Sequence, residues 1–152
     1  MSKILDLLKE FDIAAMLPEM GKFTGWIVLA LKLFLLAGPI IMIVMGAIYC
    51  FAAPKEANHR LGHRSRWSMS SVDVWKYAQR ISGIVYMGSG GLLTITMLIV
   101  IGTFKSRDLL SMVVVAIICA MVEVAVAAVS WLLIEILLRR YYDINGRRKR
   151  YI

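Results

Sequence analysis

The sequence predicts an all-α integral membrane protein with three transmembrane helices and an N-terminal amphipathic interfacial helix. The main observation is that three apolar runs, 26–53, 81–104 and 109–138, contain almost no charge. Each has about 20 residues or more, which is enough to cross a hydrocarbon core about 30 Å thick. A helix satisfies its own backbone hydrogen bonds in lipid, so each run should be helical. With 60% hydrophobic residues in 152 positions, the chain has room for a single membrane domain, 1–152, and no separate soluble one.

The segment 3–17, before the first apolar run, has the pattern of an amphipathic helix on the membrane surface. Its apolar side chains recur at helical spacing and its charges occupy much of the other side. The apolar positions are Ile4, Leu5, Leu8, Phe11 and Ala15. We expect Pro18 to end this helix. A cap that packs against the spans is the alternative, and the acidic residues throughout argue against a cleavable signal peptide.

The first span, 26–53, contains Gly38-Pro39 near its middle. Proline removes a backbone donor and clashes with the preceding turn, so a kink is expected there. Lys32 can extend its stem toward the headgroups, or turn inward to meet an acid. Cys50 and Cys119 should lie in opposite leaflets as small apolar residues, too far apart for a disulfide.

The second span, 81–104, is rich in glycine, which favours close helix packing in a bilayer. The residues expected at this packing surface are Gly83, Gly88, Gly90, Gly91 and Thr94. The spacing of Gly90 and Thr94 places both on one face. The hydroxyls of Thr94 and Thr96 lie near mid-depth and can donate hydrogen bonds.

The third span, 109–138, carries an acid near its middle. A charged Glu123 at that depth costs on the order of 2.5–3.5 kcal/mol, so it should face protein or water. The small residues at helical spacing around it indicate a helix–helix interface; they are Ala116, Ala120, Ala127 and Ser130. Two interpretations remain open: a proton or ligand site, or a polar clamp to Thr94, Thr96 or Lys32. Glu135 is simpler, because Arg139 follows one turn later and predicts an i,i+4 pair.

The cations lie mainly on one side of the predicted membrane. The segment 54–80 holds six Lys or Arg against two acids, and residues 139–152 hold six against Asp143. The opposite side has a slightly acidic N-terminal segment and a turn with Lys105 and Arg107. The positive-inside rule therefore predicts an N-terminus outside and a cytoplasmic C-terminus. It also explains the net charge of +8 by contact with anionic lipid, without nucleic acid.

The cytoplasmic segment 54–80 contains a helix start near Val72. Ser70 and Ser71 are N-cap residue types, and Asp73 suits the positive end of a helix dipole. His59 and His63 are four residues apart, but no clear third ligand accompanies them, so we predict no metal site.

This segment resembles the signature of the SdpI family of bacterial membrane proteins, which is known for immunity to a secreted toxin. The resembling residues are Gly62, Arg64, Ser65, Trp67, Ser68, Ser70, Asp73, Trp75, Lys76, Arg80 and Gly83. The family also places hydrophobic helices after this signature. Arg66 replaces the usual proline, and Gln79 stands where histidine is common. Many family members have additional spans before the signature.

The resemblance implies a multi-pass protein of the bacterial cell membrane that is not an enzyme. It would protect against a peptide toxin or bind a membrane protein partner. The alternative is a subunit of a homo-oligomeric transporter or channel that uses Glu123. No catalytic set or nucleotide fingerprint is found, and no cofactor is expected. We expect Arg64, Trp67, Trp75 and Arg80 to form one ordered unit at the membrane interface; a basic loop that only anchors lipid is the alternative.

Overall fold

Three long helices account for most of the chain. The computed structural model describes residues 13–54, 56–57, 62–106 and 108–149, with side chains of 13–20 and 106 excluded. The helices are α1 (Ile13–Phe51), α2 (Val72–Gly102) and α3 (Leu109–Tyr141), and a 3-10 turn, Thr103–Ser106, follows α2. The described residues contain one isolated β-bridge and no strand.

Each helix is long and apolar enough to cross a membrane. The three spans are Gly21–Phe51, Val72–Lys105 and Leu109–Tyr141. Large apolar side chains point away from the bundle, as lipid-facing residues do; Leu92, Ile99 and Val124 are each about two-thirds exposed or more. The all-helical, three-span prediction is confirmed.

The N-terminal helix differs from the sequence prediction. Residues 3–12 of the predicted surface helix lie outside the described residues. Residues 13–17 belong to α1, which continues through Pro18 to Phe51. Our expectation that Pro18 ends a helix was therefore wrong. A proline removes a single backbone donor, and the turns on either side of it keep their own hydrogen bonds.

Glycines allow α1 and α2 to pack closely. A Cβ on Gly83 would lie 2.7 Å from the carbonyl oxygen of Gly46, and a Cβ on Gly46 would lie 2.7 Å from Met87 N. Two turns further along α2, a Cβ on Gly90 would lie 2.9 Å from Pro39 O. Three glycines on two helices thus let the backbones touch, as small residues do in membrane bundles.

Two glycines of the predicted packing surface take no part in it. Among the described residues, no atom beyond the neighbouring backbone lies within 4 Å of a Cβ built on Gly88 or Gly91. Both therefore face open space. The reason is geometric: Gly83 and Gly90 are seven residues apart and share a face of α2, whereas Gly88 and Gly91 point elsewhere.

The buried side chains form two clusters at the two ends of the bundle. One lies near the turn between α2 and α3 and contains Leu35, Leu93, Met97, Phe104, Met112 and Ala116. The other lies at the opposite end and contains Val74, Ala78, Ile134 and Leu138. The second cluster supports the segment that resembles the family signature. Cys50 and Cys119 are both free thiols.

The turn between α2 and α3 ends in a capped helix start. Asp108 is the N-cap of α3: Ser111 donates its backbone N–H to Asp108 Oδ2 (3.1 Å) and its hydroxyl to Oδ1 (2.7 Å). These hydrogen bonds to the charged form lower the pKa of the Asp108 carboxyl. The cap defines where α3 begins.

Candidate functional site

The segment 62–71, here called the signature loop, folds onto the start of α2. Ser71 is the N-cap of α2, and its side-chain oxygen accepts a hydrogen bond from Val74 N (3.3 Å). Asp73 lies in the first turn, where a negative charge stabilises the helix dipole. The predicted helix start near Val72 is confirmed.

Two serines hold the signature loop in a closed turn. Ser65 N–H donates to Ser68 Oγ (2.7 Å), and Ser68 N–H donates to Ser65 Oγ (3.1 Å). The Ser68 hydroxyl donates in turn to the carbonyl oxygen of His63 (2.8 Å). Ser68 is fully buried. Its reciprocal bonds satisfy polar groups that would be costly to bury alone.

Gln79 attaches the signature loop to α2. Its side-chain Oε1 accepts a hydrogen bond from His63 N–H (2.9 Å), and its Nε2 donates to His63 O (3.3 Å). The amide thereby pairs with both main-chain groups of one residue. Gln79 is 2% exposed, so losing either bond would leave a buried group without a partner.

Gly62 meets two requirements that only glycine satisfies easily. Its φ is +120°, a region that side-chain-bearing residues rarely adopt. A Cβ there would lie 2.7 Å from Trp75 Cη2 and 2.7 Å from Gln79 Oε1. Trp75 is fully buried, and its Nε1 donates to the carbonyl oxygen of Pro54 (2.8 Å). Trp75 thus joins the signature loop, α2 and the end of α1.

The imidazole of His63 is directed toward α3. Its ring centroid lies 6.0 Å from that of Trp131. Burial lowers the pKa of His63, while the nearby carboxylate of Glu135 acts in the opposite direction. His63 Nε2 and Glu135 Oε2 are both buried, and no described residue gives either atom a hydrogen bond. Sequence reasoning could not predict that His63 lies near Glu135, because the two residues are 72 positions apart.

Glu135 also contributes to the predicted ion pair. Arg139 Nε lies 3.0 Å from Glu135 Oε1, which confirms the i,i+4 pair. The Arg139 guanidinium carbon lies 4.7 Å from the centroid of the Trp67 ring. This cation–π contact connects the signature loop to the end of α3.

The chain after α3 forms a small hairpin turn. Tyr142 and Arg148 form an antiparallel bridge, and Asp143 Oδ1 accepts hydrogen bonds from Asn145 N (3.0 Å) and Arg147 N (2.7 Å). Gly146 has a φ of +75°. No turn was predicted for this tail, whose charges supported only the predicted orientation. The Asn145-Gly146 pair is the signal that could have predicted a turn.

The hairpin turn packs against the start of α2. Ser71 Oγ donates to Gly146 O (3.3 Å), and Lys149 Nζ donates to Arg139 O (2.8 Å). The signature loop, the first turn of α2, the end of α3 and the hairpin therefore lie together at one end of the bundle.

The four residues expected to form one ordered unit make separate contacts. Trp75 bonds to Pro54, and Trp67 packs under Arg139, as described above. Arg64 is exposed and interacts electrostatically with Tyr49 of α1. Arg80 is exposed, and its carbonyl oxygen lies 3.8 Å from Cys50 Sγ. The two tryptophans hold the loop in place, whereas the two arginines face outward.

Glu123 forms a second candidate site within the bundle. Its carboxylate lies against Gly38 of α1, where a Cβ would be 3.1 Å from Glu123 Cδ. Glu123 Oε1 is buried and has no hydrogen-bond partner among the described residues. Gly38 therefore provides the space that the carboxylate occupies.

The described residues do not show the predicted polar clamp between Glu123 and Thr94, Thr96 or Lys32. Thr94 donates its hydroxyl to Gly90 O (2.8 Å), and Thr96 donates to Leu92 O (3.0 Å). Lys32 forms no ion pair with Glu123 in the described part of the chain. Threonine hydroxyls in a helix often bond to the carbonyl one turn earlier, and this local partner was available without any movement of helices.

Comparison with known proteins identifies the family. No curated protein and no solved structure matches the chain. A family model described as the SdpI/YfhL protein family matches residues 54–135. The match covers more than half of the chain and includes the signature loop, α2 and most of α3. The chain therefore belongs to the SdpI/YfhL family.

Proposed function

We propose that this protein is a non-enzymatic immunity protein of the bacterial cell membrane, which protects against a peptide toxin by binding the toxin or a membrane protein partner. Family membership supports this proposal. The observation that carries it is the ordered signature loop, which contains the buried Ser68 and packs against the buried Trp75 and Gln79 of α2. Their burial holds Arg64 and Arg66 exposed on a fixed surface. A binding surface benefits from such preorganisation.

A protection assay tests this function. A toxin-sensitive bacterium would produce the protein and be exposed to the secreted toxin of an SdpI-type system, with bacterial growth as the readout. We expect protection by the wild type and its loss in Gln79→Leu, which removes both bonds to the signature loop. Gly88→Ala is the matched control, because its Cβ enters open space. Growth arrest despite normal amounts of wild-type protein in the membrane would contradict the proposal.

A pull-down in mild detergent followed by mass spectrometry tests the partner. We expect the toxin or a membrane protein to copurify with the wild type and to be depleted with Gln79→Leu. Equal recovery from both would argue against the signature loop as the binding surface.

The proposed orientation has the N-terminus outside and the signature loop in the cytoplasm. The charge asymmetry supports it, and the loop and hairpin share one end of the bundle. In a background without Cys50 and Cys119, Ala57→Cys and Asn145→Cys should resist an impermeant maleimide in intact cells. Lys105→Cys, at the opposite end, should react. Labelling of Ala57→Cys and Asn145→Cys in intact cells would indicate the opposite topology.

A transport subunit is the alternative function. It is favoured by the buried Oε1 of Glu123, which has no hydrogen-bond partner among the described residues. Three helices cannot readily enclose a pathway, so this function requires a homo-oligomer. Purified protein in vesicles should then conduct ions or protons, and Glu123→Gln should abolish the flux. Vesicles that remain impermeable with correctly folded protein would exclude this alternative.

A further inference from the structure

A groove opens between the end of α1 and the first half of α2. It has a volume of about 630 Å³. Its lining includes Tyr49, Phe51, Lys76, Arg80, Ile84 and Met87. We call this feature the interfacial groove. It differs from the signature loop surface and from the Glu123 site, and neither proposed function uses it.

The outer part of the interfacial groove is basic. Lys76 and Arg80 are one helical turn apart, so their side chains share a face of α2. Both are exposed, and neither forms an ion pair within the described part of the chain. Among the described residues, no Asp or Glu lines the groove. The groove therefore offers two cations to an anion and no carboxylate to a cationic headgroup.

The inner part of the interfacial groove is apolar. Ile84 and Met87 follow Arg80 by four and seven residues, which places them about 6 Å and 10 Å deeper along α2. Ile84 lies within a membrane span and is 52% exposed, so it is accessible to an acyl chain. The groove thus changes from basic to apolar in the direction from the membrane surface to the membrane interior.

We propose that the interfacial groove binds one anionic phospholipid. Lys76 and Arg80 contact its phosphate, and Tyr49, which also lines the groove, carries a phenolic hydroxyl that can donate a further hydrogen bond to it. One acyl chain lies along Ile84 and Met87. This orientation matches the order of charged and apolar parts in a lipid, and each cation near the surface adds to the attraction. A zwitterionic lipid binds less well, because no described Asp or Glu of the groove can pair with the cationic group of its head.

Native mass spectrometry of the purified protein tests the proposal, with phosphatidylglycerol and phosphatidylcholine supplied as equal mixtures. We expect the wild type to retain one phosphatidylglycerol in preference, and Lys76→Gln/Arg80→Gln to bind it at least tenfold more weakly. The matched control is Arg147→Gln/Arg148→Gln, which removes the same charge at the same end of the bundle. Equal loss of lipid from both double variants would overturn the assignment to the groove.

A second measurement separates a lipid from a free anion. Cys50 also lines the groove, so in Cys119→Ser its alkylation should slow severalfold when phosphatidylglycerol is added. Protection by inorganic phosphate alone to the same extent would overturn the lipid proposal, and so would protection by phosphatidylcholine.

The variant Ile84→Trp tests the position of the acyl chain, because it keeps both cations and fills the apolar part of the groove. It should reduce lipid retention at least severalfold, and unchanged retention would contradict the proposed acyl-chain position.

Discussion

Substituting Gly62 by alanine tests whether the signature loop is a locked structure. A residue with a side chain at a φ of +120° carries backbone strain of about 1–3 kcal/mol. The new methyl group would also lie 2.7 Å from both Trp75 and Gln79, and such overpacking costs about 1–3 kcal/mol more. The sum is about 2–6 kcal/mol, so the equilibrium between open and closed loop should shift about 30-fold or more toward the open form.

Trypsin measures this opening directly. Arg64 and Arg66 lie in the signature loop, and cleavage after them should follow the population of the open loop when opening is fast. Mass spectrometry of the fragments would give the initial rate at these two sites. We expect Gly62→Ala to be cut about 30-fold faster than the wild type or more. Gly88→Ala, the matched control, should be cut at the wild-type rate.

The result that would refute this reasoning is equal cleavage of Gly62→Ala and wild type at Arg64 and Arg66. It would mean that the loop tolerates a side chain at this position. The hydrogen bonds of His63 and Gln79 would then not limit the opening of the loop.

Three further predictions concern single side chains. Burial lowers the pKa of His63, so the folded state binds fewer protons than the unfolded state. The neutral, buried imidazole therefore contributes fully to stability above about pH 6.5, and this contribution is lost as the pH falls below that value. His63→Asn should therefore show a smaller fall in thermal stability between about pH 7.5 and pH 5.5, and parallel curves would contradict this. Arg64→Lys keeps the charge but loses the planar fork, so it should reduce toxin protection without changing the melting temperature; wild-type protection would indicate that charge alone suffices. Glu123→Gln should preserve folding and protection if the carboxyl group has a structural role, whereas Glu123→Leu should impair both; a folded Gln variant without protection would point to a role for charge or a proton.

Local patterns predicted local structure correctly. The three spans follow from length and hydropathy, the α2 start follows from Ser71 and Asp73, and the Glu135–Arg139 pair follows from i,i+4 spacing. Each of these depends on residues within one helix or one turn. Such interactions depend little on the arrangement of the other helices.

Predictions that needed the arrangement of the helices were less accurate. Glycine content indicated that α2 packs closely, but which glycines do so depends on the rotation of the helix, and Gly88 and Gly91 lie on the wrong side. The position of the Glu123 carboxylate could not be predicted either, because it lies against Gly38, which has no polar side chain that would mark it as a neighbour. Spacing in the sequence does not encode the contacts between separate helices.

The hydrogen bonds of the signature loop were beyond sequence reasoning for another reason. Gln79 pairs with main-chain atoms of His63. Almost every residue has the same main-chain groups, so the sequence does not show which of them a side chain will bond. The loop's contact with α3 joins residues that are far apart in the chain. The resemblance to a known family and the density of tryptophan and arginine marked this segment in advance, but neither predicted its hydrogen bonds.

The contacts of the signature loop with α3 have a consequence for biosynthesis. The loop and α2 leave the ribosome well before the end of α3, because chains are made from the N-terminus. Trp67 meets Arg139, and His63 meets Trp131, only when the last helix has been inserted. Until then the loop contacts only α1 and α2, and the surface is completed after translation of the final span. A chain that stops before α3 would lack both contacts, so the finished surface forms only when all three spans are in place.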